Sequence, residues 1–365
     1  MNRATLRAVL TPRFGIMLPL GFASGLPLAL TGGTLQAWLT EAGLDLTTIG
    51  LFAYVGLPYT LKFLWAPVMD RIVPPWLGHR RGWMIVTQTG LALALTLMAF
   101  IGPGSGAQIF AALALGVAFL SASQDIVFDA YRTDLLKPDE RGLGAATWVM
   151  GYRIAMMASG SLALIVAARL GWSSAYLCMA GLMALGIVTI LMIPEPEAAR
   201  AAPQSMSEAV WGPLSEFLSR PMALALLGLI VLYKLGDAFA GALTTSFLLR
   251  GMAFSSEDIG LVRAFGIGAT ILGAFIGGGM MPQLGLFRSL MVFGVLQALS
   301  NLSFLWLAWV GKSYAVMAFA VGFENLTGGM GTAAFVALVM SLCNHRYTAT
   351  QFALLSSVEA LGRVF

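Results

Sequence analysis

Charge, cysteine and histidine are scarce in this sequence. Only 10% of its 365 residues are charged, against about 25% in a soluble domain. So few charges cannot cover a water-exposed surface, which excludes a soluble globular protein. There are 2 cysteines. Cys178 and Cys343 both fall in apolar stretches and read as free thiols, with no disulfide framework and no metal-ligand spacing. His79 and His345 are the only histidines, and each sits beside an arginine. That argues against histidine-centred catalysis or metal binding. No nucleophile elbow is present. The run "GIGATILG" at 266–273 lies in an apolar stretch with no strand before it, so it is not a dinucleotide loop. No enzyme activity, cofactor or metal is expected.

What the chain does have is apolar length. It is 58% hydrophobic, with a mean hydropathy of +0.84 and 42 glycines. The expected class is an all-α polytopic membrane protein, with the lipid bilayer as its first partner. A spanning helix needs about 20 apolar residues. The sequence predicts spans at 14–39, 47–69, 82–102, 107–130, 143–168, 172–193, 221–249, 256–281, 286–310 and 314–342. An eleventh begins near 347 and is unfinished at Phe365, so the sequence reads as a fragment ending within that helix. No cleavable signal peptide is evident.

The net charge of +4 bears on topology rather than nucleic acid, because Lys and Arg concentrate in cytoplasmic loops. With a cytoplasmic N-terminus, that side holds Arg3, Arg7, Arg13, Arg71, Arg80, Arg81, Arg132, Lys137, Arg141, Arg200, Arg220, Arg288 and Arg346. The other side holds only Arg169, Arg250 and Lys312. Outer loops such as "GPGSGA" are too short for an outer domain. Residues 194–220 form the longest connector. Val210, Trp211, Leu214, Phe217 and Leu218 recur there with helical spacing, which predicts a short amphipathic helix on the cytoplasmic face.

Six spans, a cytoplasmic connector and at least five more spans resemble the layout of the major facilitator superfamily. That resemblance implies two six-helix halves around a midplane site: an N-terminal half at 1–193, a linker at 194–220 and an incomplete C-terminal half at 221–365. The loop "APVMDRIVPPWLGHRR" resembles the superfamily's signature between its second and third helices. Asp70, Arg71, Arg80 and Arg81 fit that pattern, with Ala66 where glycine is usual and "IVPPWL" lengthening the loop. A carboxylate at a helix end beside several arginines can form a charge-assisted latch. The matching place in the second half, 277–289, keeps glycines and Arg288 but has no acid.

Ten ionisable residues fall inside the predicted spans: Lys62, Asp125, Asp129, Arg153, Lys234, Asp237, Arg263, Glu324, Glu359 and Arg363. Each costs about 2.5–3.5 kcal/mol at a helix centre unless paired or wetted. Counting from the nearest loop charges puts Lys62, Asp125 and Arg153 roughly 10–18 Å below the interface. One cluster of these three is expected. Asp129 lies only three residues from Arg132, where charge is cheap, and is expected to pair with loop arginines. Lys234 and Asp237 are spaced to meet on one helix, as are Glu359 and Arg363. Proton-driven transport needs a carboxylate whose protonation changes between states, and Asp125 is the candidate. The competing reading is a static ion pair.

The stretches "SASQDIVFDAYRTDLL" (121–136), "LKFLWAPVMDR" (61–71) and "GFASGLPLALTGGTLQAWL" (21–39) resemble the AmpG muropeptide permeases. This resemblance implies a bacterial inner-membrane permease that imports anhydromuropeptides, the disaccharide–peptide fragments GlcNAc–anhydroMurNAc and its peptides, for peptidoglycan recycling. It also implies proton coupling and a link to β-lactamase induction. Carried onto this sequence, it points to Gly25, Ala122 and Gln124 as cavity residues and to Asp125 as the proton-linked acid. Lys62, Arg153, Lys234, Asp237 and Glu324 complete the expected substrate cavity. A single chain is expected to act alone. Alternatives are a related facilitator for another anionic cargo, such as acetyl-CoA, a peptide or a drug, and a non-transporting sensor with only 194–220 as its output.

Overall fold

The computed structural model describes residues 12–197 and 203–364. Arg3, Arg7 and Arg200 lie outside the described residues. Every regular element among the described residues is helical. That follows from the composition: lipid offers no hydrogen bonds, so a spanning backbone must bond to itself.

Among the described residues, nine helices are long and apolar enough to cross a membrane. The first, 13–41, is built from α1 (Pro12–Leu30) and α2 (Gly33–Glu41), broken at Gly32. The others, with their continuations, are α6 (His79–Ile101), α7 (Ala107–Leu135), α8 with α9 (Arg141–Met157, Ala163–Leu170), α10 (Trp172–Met192), α12 (Ala223–Ser246), α13 (Ser256–Leu284), α14 (Leu286–Val310) and α15 (Tyr314–Leu342). These bounds follow the predicted spans closely.

The span predicted at 47–69 differs. It is a chain of short pieces: α3 (Leu46–Leu51), a 3-10 stretch, α4 (Leu57–Leu61), a second 3-10 stretch at Lys62–Leu64, and α5 (Ala66–Arg71). Pro58 and Pro67 have no N–H for the helical ladder, and Gly50 and Gly56 weaken it. α16 (Thr348–Val364) occupies the start of the predicted eleventh span.

Two crossings rest on glycine. On α1, Gly21 and Gly25 lie against the backbone of α8 at Trp148 and Tyr152. Gly151 of α8 returns the contact against Leu18 and Phe22. Gly273 and Gly277 of α13 lie in the same way on Leu326 and Met330 of α15, with Gly329 against Thr270 and Ala274. Small residues let helices approach where lipid supplies no hydrophobic drive. Outward faces carry exposed Leu93, Phe100, Leu232 and Trp309, the surface a bilayer covers.

The predicted connector helix is present as α11 (Met206–Leu218), with Ser205 capping it through the Glu208 N–H. Its docked face is Ala209, Pro213 and Phe217, so it shares only Phe217 with the predicted stripe. Val210, Trp211 and Leu218 are exposed. Helical period alone located the helix, but two faces are apolar and only one meets protein.

Candidate substrate cavity and its closed end

A cavity of about 500 Å³ lies between the helices, a size typical of small-molecule sites, which run from about 300 to 1,000 Å³. One wall comes from Ser24 of α1, Asp125, Asp129 and Arg132 of α7, and Trp148, Tyr152 and Arg153 of α8. The facing wall carries Lys234 of α12, Thr270 of α13, Gln297 of α14, Glu324, Asn325 and Thr332 of α15, and Phe352 and Glu359 of α16. It is lined by both signs of charge, by amides and by aromatic rings.

Four of the expected cavity residues, Asp125, Arg153, Lys234 and Glu324, line it together. Asp125 accepts a hydrogen bond from Ser24 Oγ at 2.6 Å. Lys234 Nζ donates to Thr332 Oγ1 at 2.9 Å. Glu324 accepts from Asn325 Nδ2 at 3.1 Å. Asp237 lies in α12, but its side chain is outside the described ones, as is that of Arg363.

The others are placed differently. Gln124 is fully buried and donates to Gln88 of α6, which in turn donates to the Met183 carbonyl of α10 at 2.8 Å. It ties three helices and is absent from the cavity lining. Ala122 is fully buried in α7 and Gly25 is a crossing point. Lys62 is buried, and its Nζ is 3.7 Å from Asp129 rather than joined to Asp125. Asp129 therefore does not sit where charge is cheap. It is 8% exposed and pairs with both Lys62 and Arg132, the latter at 2.6 Å. Depth counting placed these groups within a turn but could not choose between two carboxylates on one face.

The arginine-rich end of the bundle is closed by an ion-pair network. Buried Arg80 reaches Asp70 through Nη1 and Asp134 through Nε, each at 2.9 Å. Asp70 also accepts from the Thr350 N–H and hydroxyl, both at 2.7 Å, and from the Ala349 N–H at 3.3 Å. These are first-turn donors of α16, which otherwise lack partners and attract an anion. Asp134 accepts from Thr348 Oγ1 at 2.8 Å and meets His345 Nδ1 at 3.1 Å. That bond raises the His345 pKa above its ordinary value.

The predicted Asp70–Arg80 pair is thus present, and the rest of the motif is divided. Arg81 donates to the Ile190 and Leu191 carbonyls at the end of α10. Glu195, which sequence reasoning missed, accepts the Arg80 and Arg81 N–H groups at the start of α6. Arg71 lies at the end of α5, outside the Asp70 contacts. Asp134, Thr348 and Thr350 were also missed. Their bonds span between 54 and 280 positions of chain, and no local pattern signals such a partner. α11 adds a brace: Gln351 Nε2 donates to the Pro213 carbonyl at 3.1 Å and to Glu216, while Glu208 accepts from Tyr347 and pairs with Arg346.

Comparison with known proteins gives the family. Residues 17–365 match the Major Facilitator Superfamily. The chain is 52% identical to the anhydromuropeptide permease of Escherichia coli K12, covering 100% of this chain and 75% of that protein. It is 34% identical to "Putative transporter AmpG 4" of Rickettsia conorii, over 94% of this chain and 85% of that one. Among solved structures, a bacterial homologue of the iron transporter ferroportin in its outward-facing state superposes with a TM-score of 0.71 at 14% identity. That match covers 100% of this chain and 90% of the other. The chain belongs to the Major Facilitator Superfamily and, within it, to the family of anhydromuropeptide permeases.

Proposed function

We propose that this protein imports anhydromuropeptides, GlcNAc–anhydroMurNAc and its peptides, across the bacterial inner membrane by proton-coupled alternating access. The observation that carries the transport reading is the central cavity, lined by opposite charges, with a buried ion-pair network at one end. The 52% identity to the Escherichia coli permease supports the cargo and favours it over acetyl-CoA, a free peptide or a drug.

In this reading α1–α10 and α12–α16 belong to two halves of the six-plus-six facilitator plan that rock about the cavity. The arginine-rich end faces the cytoplasm together with the N-terminus, which suits the positive-inside rule. The closed latch then makes this an outward-facing arrangement. A single chain is the transporting unit in this reading. Asp125 is the proton-linked acid. It lines the cavity with a hydroxyl, rather than a cation, as its hydrogen-bond donor. Gly25, Ala122 and Gln124 serve the site by setting helix spacing.

The test is uptake of tritiated GlcNAc–anhydroMurNAc-tripeptide into proteoliposomes with and without an inward proton gradient. Accumulation above equilibrium only with the gradient supports the reading. Accumulation indifferent to the gradient removes the coupling, and no uptake removes the cargo.

A further inference from the structure

Arg132 was expected among loop residues at the membrane edge. It is instead 5% exposed and lines the cavity. Its guanidinium lies 4.8 Å over the Trp148 ring and 5.1 Å over the Phe352 ring. Trp148 belongs to α8 and Phe352 to α16, so the group sits between rings from the two walls. Its Nη2 binds Asp129 at 2.6 Å. Its Nε–H is buried and has no acceptor among the described residues. An unpaired buried donor is costly, more so on a charged group.

The surrounding charges point the same way. Lys62 and Arg132 share one carboxylate, Asp129. Asp125 lies one turn away on α7 and feels Lys62, Asp129 and Arg132, with Ser24 of α1, Tyr59 of α4 and Tyr152 of α8 also facing it. Farther along the cavity are Arg153, Lys234, Glu324 and Glu359. Around Arg132 itself, two cations, Lys62 and Arg132, therefore face two carboxylates, Asp125 and Asp129. The set is neutral when all are ionised. One proton on a carboxylate leaves a net positive charge, and of the two Asp125 is the one without an ion pair among the described residues.

We propose that Arg132 is the cargo-carboxylate anchor of this site, and that it binds a carboxylate when Asp125 carries a proton. The inference rests on the permease reading above. A planar guanidinium fixed between rings is pre-organised for a carboxylate, and its fork geometry discriminates where an ammonium would not. The cargo's negative charge then offsets the proton's positive one. Proton and acidic cargo bind together because either alone leaves a buried site charged.

The test uses the full chain in nanodiscs and two tritiated probes. One is GlcNAc–anhydroMurNAc-tripeptide with free carboxylates, and the other is the same compound with its carboxylates amidated. Binding of the acid probe by wild type should weaken as pH rises, while amidated-probe binding stays flat. Arg132→Gln should weaken the acid probe by about tenfold or more, the scale of a lost charged hydrogen bond. It should weaken the amidated probe by less than about threefold and abolish the difference in pH profile. Arg132→Lys, which keeps the charge and so the fold, should show an intermediate loss for the acid probe alone. Equal weakening of both probes, or wild-type binding of the acid probe by both variants, overturns the proposal. Failure of wild type to bind either probe instead overturns the permease reading.

Discussion

Asp70 accepts the backbone N–H of Thr350 at 2.7 Å across 280 positions of chain. A carboxylate at the end of α5 thereby acts as the N-terminal anion of α16, while Arg80 holds it in place. Asp70→Asn keeps the shape and removes the charge. Breaking a buried pair from one side costs about 3–5 kcal/mol, and Asp134 still neutralises Arg80, so the loss should fall at or below the low end of that range. Spin labels on either side of the arginine-rich end should report a longer distance in the variant. An unchanged distance distribution would mean that Asp70 does not hold this end closed.

His345 adds a pH dependence. Its hydrogen bond to Asp134 lifts its pKa above the ordinary 6.5, against the opposing effects of burial and of Arg141 and Arg80. Protonation therefore favours the state in which the two residues meet. The stabilisation is fully present below the ordinary value and is lost as pH rises through the raised one. The closed population should fall as the medium on that face becomes alkaline. His345→Gln should flatten this response, and a variant with the wild-type profile would assign it to another group.

Glycine spacing makes a sharper stability prediction. A methyl group at Gly151 would meet the Leu18 carbonyl, and one at Gly329 the Thr270 carbonyl. Neither backbone can withdraw without separating a helix pair. Gly151→Ala and Gly329→Ala should each lower the melting temperature in detergent well beyond Gly116→Ala, where nothing lies within 4 Å. The last should gain up to about 1 kcal/mol from helix propensity. Equal melting of all three would contradict close packing at these crossings.

Much of the fold could be read from apolar runs because transfer into lipid depends on composition and length. The broken stretch at 47–69 was not, since hydropathy is blind to the missing N–H groups of Pro58 and Pro67. Asp70 with Arg80 stood out as a local motif. Thr350, Asp134 and Glu195 did not, because each bond joins segments distant in sequence. For Lys62, depth was legible but rotation was not, and the partner proved to be Asp129 rather than Asp125. Arg132 looked like a loop residue because the apolar run ends near residue 130, whereas helix α7 runs on to Leu135.

The central claim is that the cavity acid Asp125 couples proton movement to cargo. Its most direct test is Asp125→Asn in proteoliposomes, comparing gradient-driven uptake of labelled muropeptide with exchange at equal concentrations. The account predicts loss of gradient-driven accumulation with exchange retained. Wild-type accumulation by the variant would contradict it and leave Asp125 a packing residue.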